Sequence, residues 1–340
     1  MEGLIMPFLL GMVISFLATP FVRKLAFKVG AVDVPKDDRR VHNTAMPSIG
    51  GLAIFFAAII VILVFLPLNK ETTSILIGAT VIVMGGIIDD IRELNPKAKM
   101  AFQILAGVIL ILGDVKIDFV TNPFSKDSSL LFLNWLSIPI TLFWVVGITN
   151  TLNFIDGLDG LSCGVAMISS ISLMIVAHTF GYSSVVIMSA ALAGACLGFL
   201  PFNFNPAKIF MGDTGAMFLG FMLAAISIEG VMKSVATIAV IAPILILGVP
   251  IFDTTFAIFR RLLNGQSIAA ADKGHLHHRL LNRGFSQRKS VLILYGISGI
   301  FGAFAILVSR ANSRQAVYLS VAMFVITVLI ALKIGLFEKK

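Results

Sequence analysis

Asn150-Thr151-Leu152-Asn153-Phe154-Ile155-Asp156-Gly157-Leu158-Asp159-Gly160-Leu161 sets two carboxylates, two carboxamides and two glycines between two long apolar runs, residues 131–149 and 162–180. About 20 apolar residues are needed to cross a hydrocarbon core as a helix, so each run reads as a membrane span. Ionisable groups at the edge of that core are costly and point to function. Asn150, Asn153 and Asp156 step by three and share a helical face. Asp156-Gly157 and Asp159-Gly160 carry turn chemistry, which two Asx turns leaving the membrane would also explain. Working outward, two further acidic stretches have the same setting: Gly85-Gly86-Ile87-Ile88-Asp89-Asp90 and Met211-Gly212-Asp213-Thr214-Gly215.

Composition agrees with a membrane protein. The chain has 340 residues, 58% hydrophobic and 13% charged, against the ~25% charge of a soluble domain. Eleven apolar segments fit spans, at 4–22, 48–68, 74–88, 100–113, 131–149, 162–180, 184–202, 214–231, 235–255, 290–309 and 316–336. The fourth is short, with Gly113 and Asp114 at its end. The first has no small-residue cleavage pattern after it and reads as a retained helix. The expected fold is therefore all-α, one integral-membrane domain over residues 1–340. Cys163 and Cys196 lie in apolar runs and read as small packing residues. Gly194 and Gly198 form a small-residue pair suited to close helix packing, within one chain or in a homodimer.

Lys and Arg set the orientation. Of the 26, 20 fall on the side carrying segments 23–47, 89–99, 203–213, 260–289 and the C-terminal end; six fall opposite. The richer side is expected to be cytoplasmic, with the N-terminus outside and the C-terminus inside. Loops about 23–47, 89–99, 150–161, 203–213 and 256–289 then share one face with all three acidic clusters. The formal charge of +8 is spread over membrane loops, which favours an anionic lipid surface or a phosphorylated substrate over nucleic acid.

The clusters carry a consistent chemistry. Asp89 and Asp90 end the third span, where a single carboxylate could also serve only as an interface anchor. The oxygen-rich set around Asn153, Asp156, Asp159 and Asp213 suits Mg²⁺ or Mn²⁺. His275-Leu276-His277-His278-Arg279 lies among Arg260, Arg261, Lys273, Arg283 and Arg288 and reads as an anion-binding loop, though a solvated positive-inside loop would also be basic. The first loop offers Lys36, Arg39, Arg40 and His42 ahead of Gly50-Gly51, a composition that favours a charged headgroup and that topology alone could also produce. Together these are the requirements of phosphoryl-group transfer at a membrane surface.

Asp89-Asp90, Asn150-x-x-Asn153-x-x-Asp156-Gly-x-Asp159-Gly-Leu161, Asn205-Pro-Ala-Lys208-Ile-Phe-Met-Gly-Asp213-Thr-Gly and His275-Leu-His-His278-Arg resemble, in order, the polyprenyl-phosphate N-acetylhexosamine-1-phosphate transferases. Arg39-Arg-Val-His42-Asn-Thr-x-Met-Pro and the His-x-His-His pattern resemble the branch that uses UDP-N-acetylglucosamine. Ser48 stands where many relatives have a basic residue. The resemblance implies transfer of GlcNAc-1-phosphate from UDP-GlcNAc to undecaprenyl phosphate with Mg²⁺, releasing UMP, in the bacterial cytoplasmic membrane. Such a step starts a cell-envelope glycopolymer of the teichoic acid or O-antigen kind. It implies Asp213 and Asn153 as metal ligands. Asp89 would activate or position the lipid phosphate, with Asp90 supporting it, and Asp156 and Asp159 would contact the nucleotide side. His275, His277, His278 and Arg279 would form the sugar-diphosphate loop, with Asn150, Lys208, Arg39 and His42 as further substrate contacts.

A phosphate monoester has a second pKa near 6, so the acceptor is already mostly a dianion at neutral pH and needs little general-base help. Direct displacement, with Asp89 positioning the acceptor, is the expectation. Two rivals stand beside it. A sister transferase would take UDP-GalNAc or UDP-MurNAc-pentapeptide. A secondary transporter would place its charges near the bilayer midplane and show related halves; here the charges gather at one face and no repeat is evident.

Overall fold

A computed structural model describes residues 2–33, 45–121, 130–232, 241–263, 265, 274–311 and 313–333, and these are almost all helical. Arg39 and His42, with the rest of the basic first loop, lie outside the described residues. Helices occupy the position of each expected span: α1 Glu2–Val29, α2 Gly51–Phe65, α3 Lys70–Arg92, α4 Pro96–Leu112, α5 Ser137–Ile155, α6 Leu161–Thr179, α7 Ser183–Asn203 and α8 Gly212–Ser227. They continue as α9 Ile241–Ile246, α10 Gly248–Leu263, the short α11 Leu276–Asn282, α12 Gln287–Arg310 and α13 Ser313–Lys333. Among the described residues, seven helical segments are long and apolar enough to cross a membrane, and Gly51–Phe65 and Tyr318–Leu329 are shorter apolar helices. The protein is thus a helical, multi-pass membrane protein.

The helix ends follow local sequence. Asn69 caps α3 by accepting from Thr72 N–H at 2.8 Å, and Asn95 caps α4 by accepting from Ala98 N–H at 2.9 Å, with Pro96 in the first turn. The fourth helix stops at Leu112, where Gly113 and left-handed Asp114 (φ 62°) follow. Three boundaries differ from the sequence expectation. The fifth helix starts only at Ser137, after an antiparallel pair of strands, β1 (Phe119–Thr121) and β2 (Leu130–Phe132), and runs on to Ile155. Asn150 and Asn153 are therefore helical, and the loop begins at Asp156. The ninth span is broken between α9 and α10, and α10 extends to Leu263, carrying Arg260 and Arg261 in its last turn. Within the basic segment, residues 276–282 form a helix of their own, α11.

α8 is the axis of the bundle: every residue from Thr214 to Ser227 is buried. Small residues let neighbours close on it. A Cβ added to Gly86 would come 2.4 Å from Thr214 Cα, and one on Gly51 would come 2.1 Å from Gly215 Cα. α2, α3 and α8 therefore touch backbone to backbone at the end that holds the acidic residues. Gly194 and Gly198 are used within the chain, since Cβ atoms there would meet the α1 carbonyls of Phe8 and Met12 at 2.0 and 2.1 Å. Large apolar side chains such as Phe21 and Phe143 point outward, as expected for helices facing lipid. The turn between α6 and α7 reverses at Gly181 (φ +79°), with nothing within 4 Å of where its side chain would begin.

Candidate active site

The three acidic stretches meet in the wall of one open cavity of about 920 Å³. Asp89 and Asp90 come from the end of α3, Asn153 from α5, Asp156 and Asp159 from the α5–α6 turn, and Asp213 from the first turn of α8. Lys99, from the first turn of α4, completes the cluster. Its ammonium lies 2.6 Å from Asp89 Oδ2 and 2.5 Å from Asp213 Oδ2. Asp89 Oδ1 accepts the Leu94 N–H at 2.6 Å, so both oxygens of this carboxylate are engaged. Asn153 Nδ2 donates to Asp213 Oδ1 at 2.5 Å. Oxygens of Asp89, Asp213 and, with its carboxamide turned, Asn153 thus surround a position where positive charge is favoured.

Asp90 has a different setting. It accepts the Asp213 N–H at 2.9 Å, the Thr214 N–H at 3.0 Å and the Thr214 hydroxyl at 2.5 Å. It therefore ties the end of α3 to the start of α8 and fixes the peptide that carries Asp213. Gly212 (φ +71°) makes this approach feasible: a Cβ there would strike the Ser48 carbonyl and lie 2.5 Å from Asp90 Oδ2. Asp159 Oδ2 accepts from Asn205 Nδ2 at 2.9 Å and from Ala207 N–H at 3.1 Å, holding the α7–α8 loop over the cavity. The Tyr295 hydroxyl donates to the Gly160 carbonyl and braces the same turn from α12.

The cavity is acidic. Asp156 is half-buried, and this desolvation, followed by the charges of Asp213, Asp90 and Asp159, raises its carboxyl well above the usual range. A fixed positive charge arriving with a substrate would reverse that bias. Asn203 lies in the same wall; its Nδ2 donates to the Ile209 carbonyl at 3.0 Å, while its buried Oδ1 has no hydrogen-bond partner among the described residues. Phe210 and Gln287 lie in the same lining.

Other expected contacts fall elsewhere. Asn150 is closed into an amide pair with Gln103, donating to Oε1 at 2.7 Å and accepting from Nε2 at 3.2 Å, so it clasps α5 to α4 and does not line the cavity. Lys208 is exposed and also lies outside the lining. The histidine segment forms a second layer. His275 and His277 are 7% and 2% exposed, and His277 packs behind the cavity wall, its Nε2 2.5 Å from where a Gly157 Cβ would stand. Burial, then the neighbouring His278, pushes His277 down to about 4, so at neutral pH it is an uncharged imidazole. His278 packs against His277 with ring centroids 4.2 Å apart. Arg279 Nε donates to the Gly274 carbonyl at 3.1 Å.

Four residues of this site are absent from the sequence expectation: Lys99, Asn203, Gln287 and, beneath the histidines, Asp253. The first had a signal only as one more basic loop residue. Asp253 stood out as a carboxylate inside an apolar run.

An oxygen-lined, acidic cavity at one end of a polytopic helix bundle, with an ammonium set between two carboxylates, defines a membrane enzyme acting on phosphorylated substrates. The sequence profile of glycosyl transferase family 4 matches residues 72–231. A probable undecaprenyl-phosphate N-acetylglucosaminyl 1-phosphate transferase of Bacillus subtilis (strain 168) is 40% identical over 100% of this chain and 94% of its own length. A decaprenyl-phosphate N-acetylglucosaminephosphotransferase of Mycobacterium tuberculosis (strain ATCC 25618 / H37Rv) is 36% identical over 90% of this chain and 83% of its own. A phospho-N-acetylmuramoyl-pentapeptide-transferase of Halalkalibacterium halodurans is 31% identical over 89% and 95%. The chain belongs to glycosyl transferase family 4.

Proposed function

We propose that this protein transfers GlcNAc-1-phosphate from UDP-GlcNAc to undecaprenyl phosphate on the cytoplasmic side of a bacterial cell membrane, as the first membrane step of an envelope glycopolymer. The observation that carries the reading is the convergence of Asp89 and Asp213 on the Lys99 ammonium inside the 920 Å³ cavity, with Asn153 bonded to Asp213. An oxygen of the lipid phosphate attacks the sugar-bearing phosphorus of UDP-GlcNAc. The bond from that phosphorus to the bridging oxygen breaks, and UMP leaves with that oxygen. Both partners are anions entering an acidic cavity, so positive charge at the reacting phosphates is the main requirement.

Lys99 supplies one such charge. Mg²⁺ would supply the rest, neutralising the diphosphate; Asp213 and Asn153 would hold it, and Mn²⁺ suits the same oxygens. Among the described residues, no three His, Cys, Asp or Glu side chains gather as a metal cage. Asp89 has both oxygens engaged, which supports positioning of Lys99 and the acceptor over nucleophilic attack. Asn203 and Phe210 line the same wall, and a carboxamide there suits the imide of uracil. The reading of eleven spans with the cavity at the cytoplasmic end rests on the apolar segments and on the distribution of Lys and Arg.

The test is release of UMP from UDP-GlcNAc by the purified protein with undecaprenyl phosphate and Mg²⁺. Controls omit lipid, add EDTA, or carry Asp213→Ala or Lys99→Met. Release that needs lipid and metal, and falls by about 100-fold or more in either variant, is expected. Release only with UDP-MurNAc-pentapeptide or UDP-GalNAc would keep the chemistry and overturn the sugar. No release with any UDP-sugar from folded protein would overturn the reading.

A further inference from the structure

Asp253 lies in the middle of α10 and is 2% exposed. A carboxylate in such a place persists only when its oxygens are satisfied. Both are satisfied by one distant segment. Oδ1 accepts the Leu276 N–H at 2.8 Å, and Oδ2 lies 2.9 Å from His275 Nδ1. His275 in turn lies parallel to His277, with ring centroids 5.9 Å apart and planes 7° apart. Asp253 and His277 also share a small void of about 10 Å³, close to the least that holds one water. His277 then fills the space over Gly157 in the cavity wall. Contacts therefore run without a gap from Asp253 through two imidazoles to the turn that carries Asp156.

We propose that Asp253 is a positioning residue for the transfer reaction, fixing His275 with its proton on Nδ1 and holding the loop backbone at Leu276 so that His277 stays seated against Gly157. A carboxylate accepts only, so it selects the Nδ1–H tautomer and leaves Nε2 without a proton. This rests on the reading of the adjoining cavity as the transfer site. The isosteric change to Asn keeps an acceptor for the Leu276 N–H and lets the amide nitrogen donate to Nδ1, so it alters the histidine while sparing the packing.

The experiment uses the full-length protein, ¹⁵N-labelled at histidine, with UMP release measured alongside. The chain has five histidines, so His275→Ala assigns the signal it removes. In the wild type, His275 is expected to carry its proton on Nδ1; a bare Nδ1 would overturn the proposal without any variant at Asp253. Asp253→Asn is expected to move that signal towards the other tautomer. It should lower kcat by about 10- to 100-fold, change KM for UDP-GlcNAc by less, and melt close to the wild type. In a His275→Ala background it should cost nothing further. A folded Asp253→Asn variant with wild-type kcat, with an unmoved His275 signal, or with a loss that multiplies with that of His275→Ala would overturn the proposal. A wild type silent with every UDP-sugar would instead bring down the transfer reading, and this role with it.

Discussion

At the scale of single residues, the site is governed by which polar groups are left unsatisfied and which are not. Burial, then the neighbouring His278, lowers His277 from the ordinary 6.5 to about 4. A histidine held neutral in the fold binds its proton more readily when unfolded. Stability therefore rises with pH through this window, is complete above about 6.5, and is lost as pH falls towards 4. The loss spans on the order of 3 kcal/mol. Apparent melting temperature measured from pH 7 down to pH 4 should fall less steeply in His277→Asn than in the wild type; equal slopes would contradict the neutral, buried imidazole. Asn203 presents an acceptor with nothing to accept among the described residues. If it reads the base, Asn203→Ala should raise KM for UDP-GlcNAc by about tenfold, with a smaller change in kcat. Steady-state kinetics at saturating lipid phosphate distinguish this from a general loss of activity.

At the scale of elements, close contacts between helices set the geometry of the carboxylates. Gly86→Ala would push a methyl group into the α8 backbone beside Asp213, costing about 1–3 kcal/mol as overpacking. Gly147→Ala, on α5 with nothing within 4 Å, should be neutral or gain up to about 1 kcal/mol from helix propensity. Thermal melting of the two variants in the same detergent checks the contrast, and activity should fall only in the first. These elements were legible in different degrees. Apolar runs long enough to span announce their helices by composition alone, and an aspartate among such runs is conspicuous. The cavity residues Asp89, Asp156, Asp159 and Asp213 were therefore readable. The end of α5 was not, because the apolar run stops at Thr149 and the pairing of Asn150 with Gln103 on α4 leaves no mark in it. Nor was the depth of the histidines, since their burial depends on α10 and on Asp253, more than twenty residues earlier in the chain. Pairing across helices is tertiary information, and a periodic pattern does not carry it.

At the scale of the whole molecule, the arrangement of the described residues is one bundle wrapped around α8, with an acidic mouth. On the proposed orientation, positive charge on the loops would both orient the chain and face the substrates. Charge near the mouth thus has two roles, and sequence reading gives both weight without dividing them: Lys99 was visible as an orienting residue, while its place between two carboxylates was not. The exposed reversal at Gly181 has a consequence for how this machine can be assembled. It divides the chain into a half carrying Asp89, Lys99, Asn153 and Asp156 and a half carrying Asp213, Asp253 and the histidines. Each half contains helices long and apolar enough to cross a membrane, and α7 packs against both α1 and α6. Cutting the gene between Gly181 and Tyr182 and producing the two pieces in one cell should give a working enzyme by complementation, with either piece alone inert. Because every reacting group sits at a seam between the pieces, restored UMP release would report that they have found one another in the bilayer.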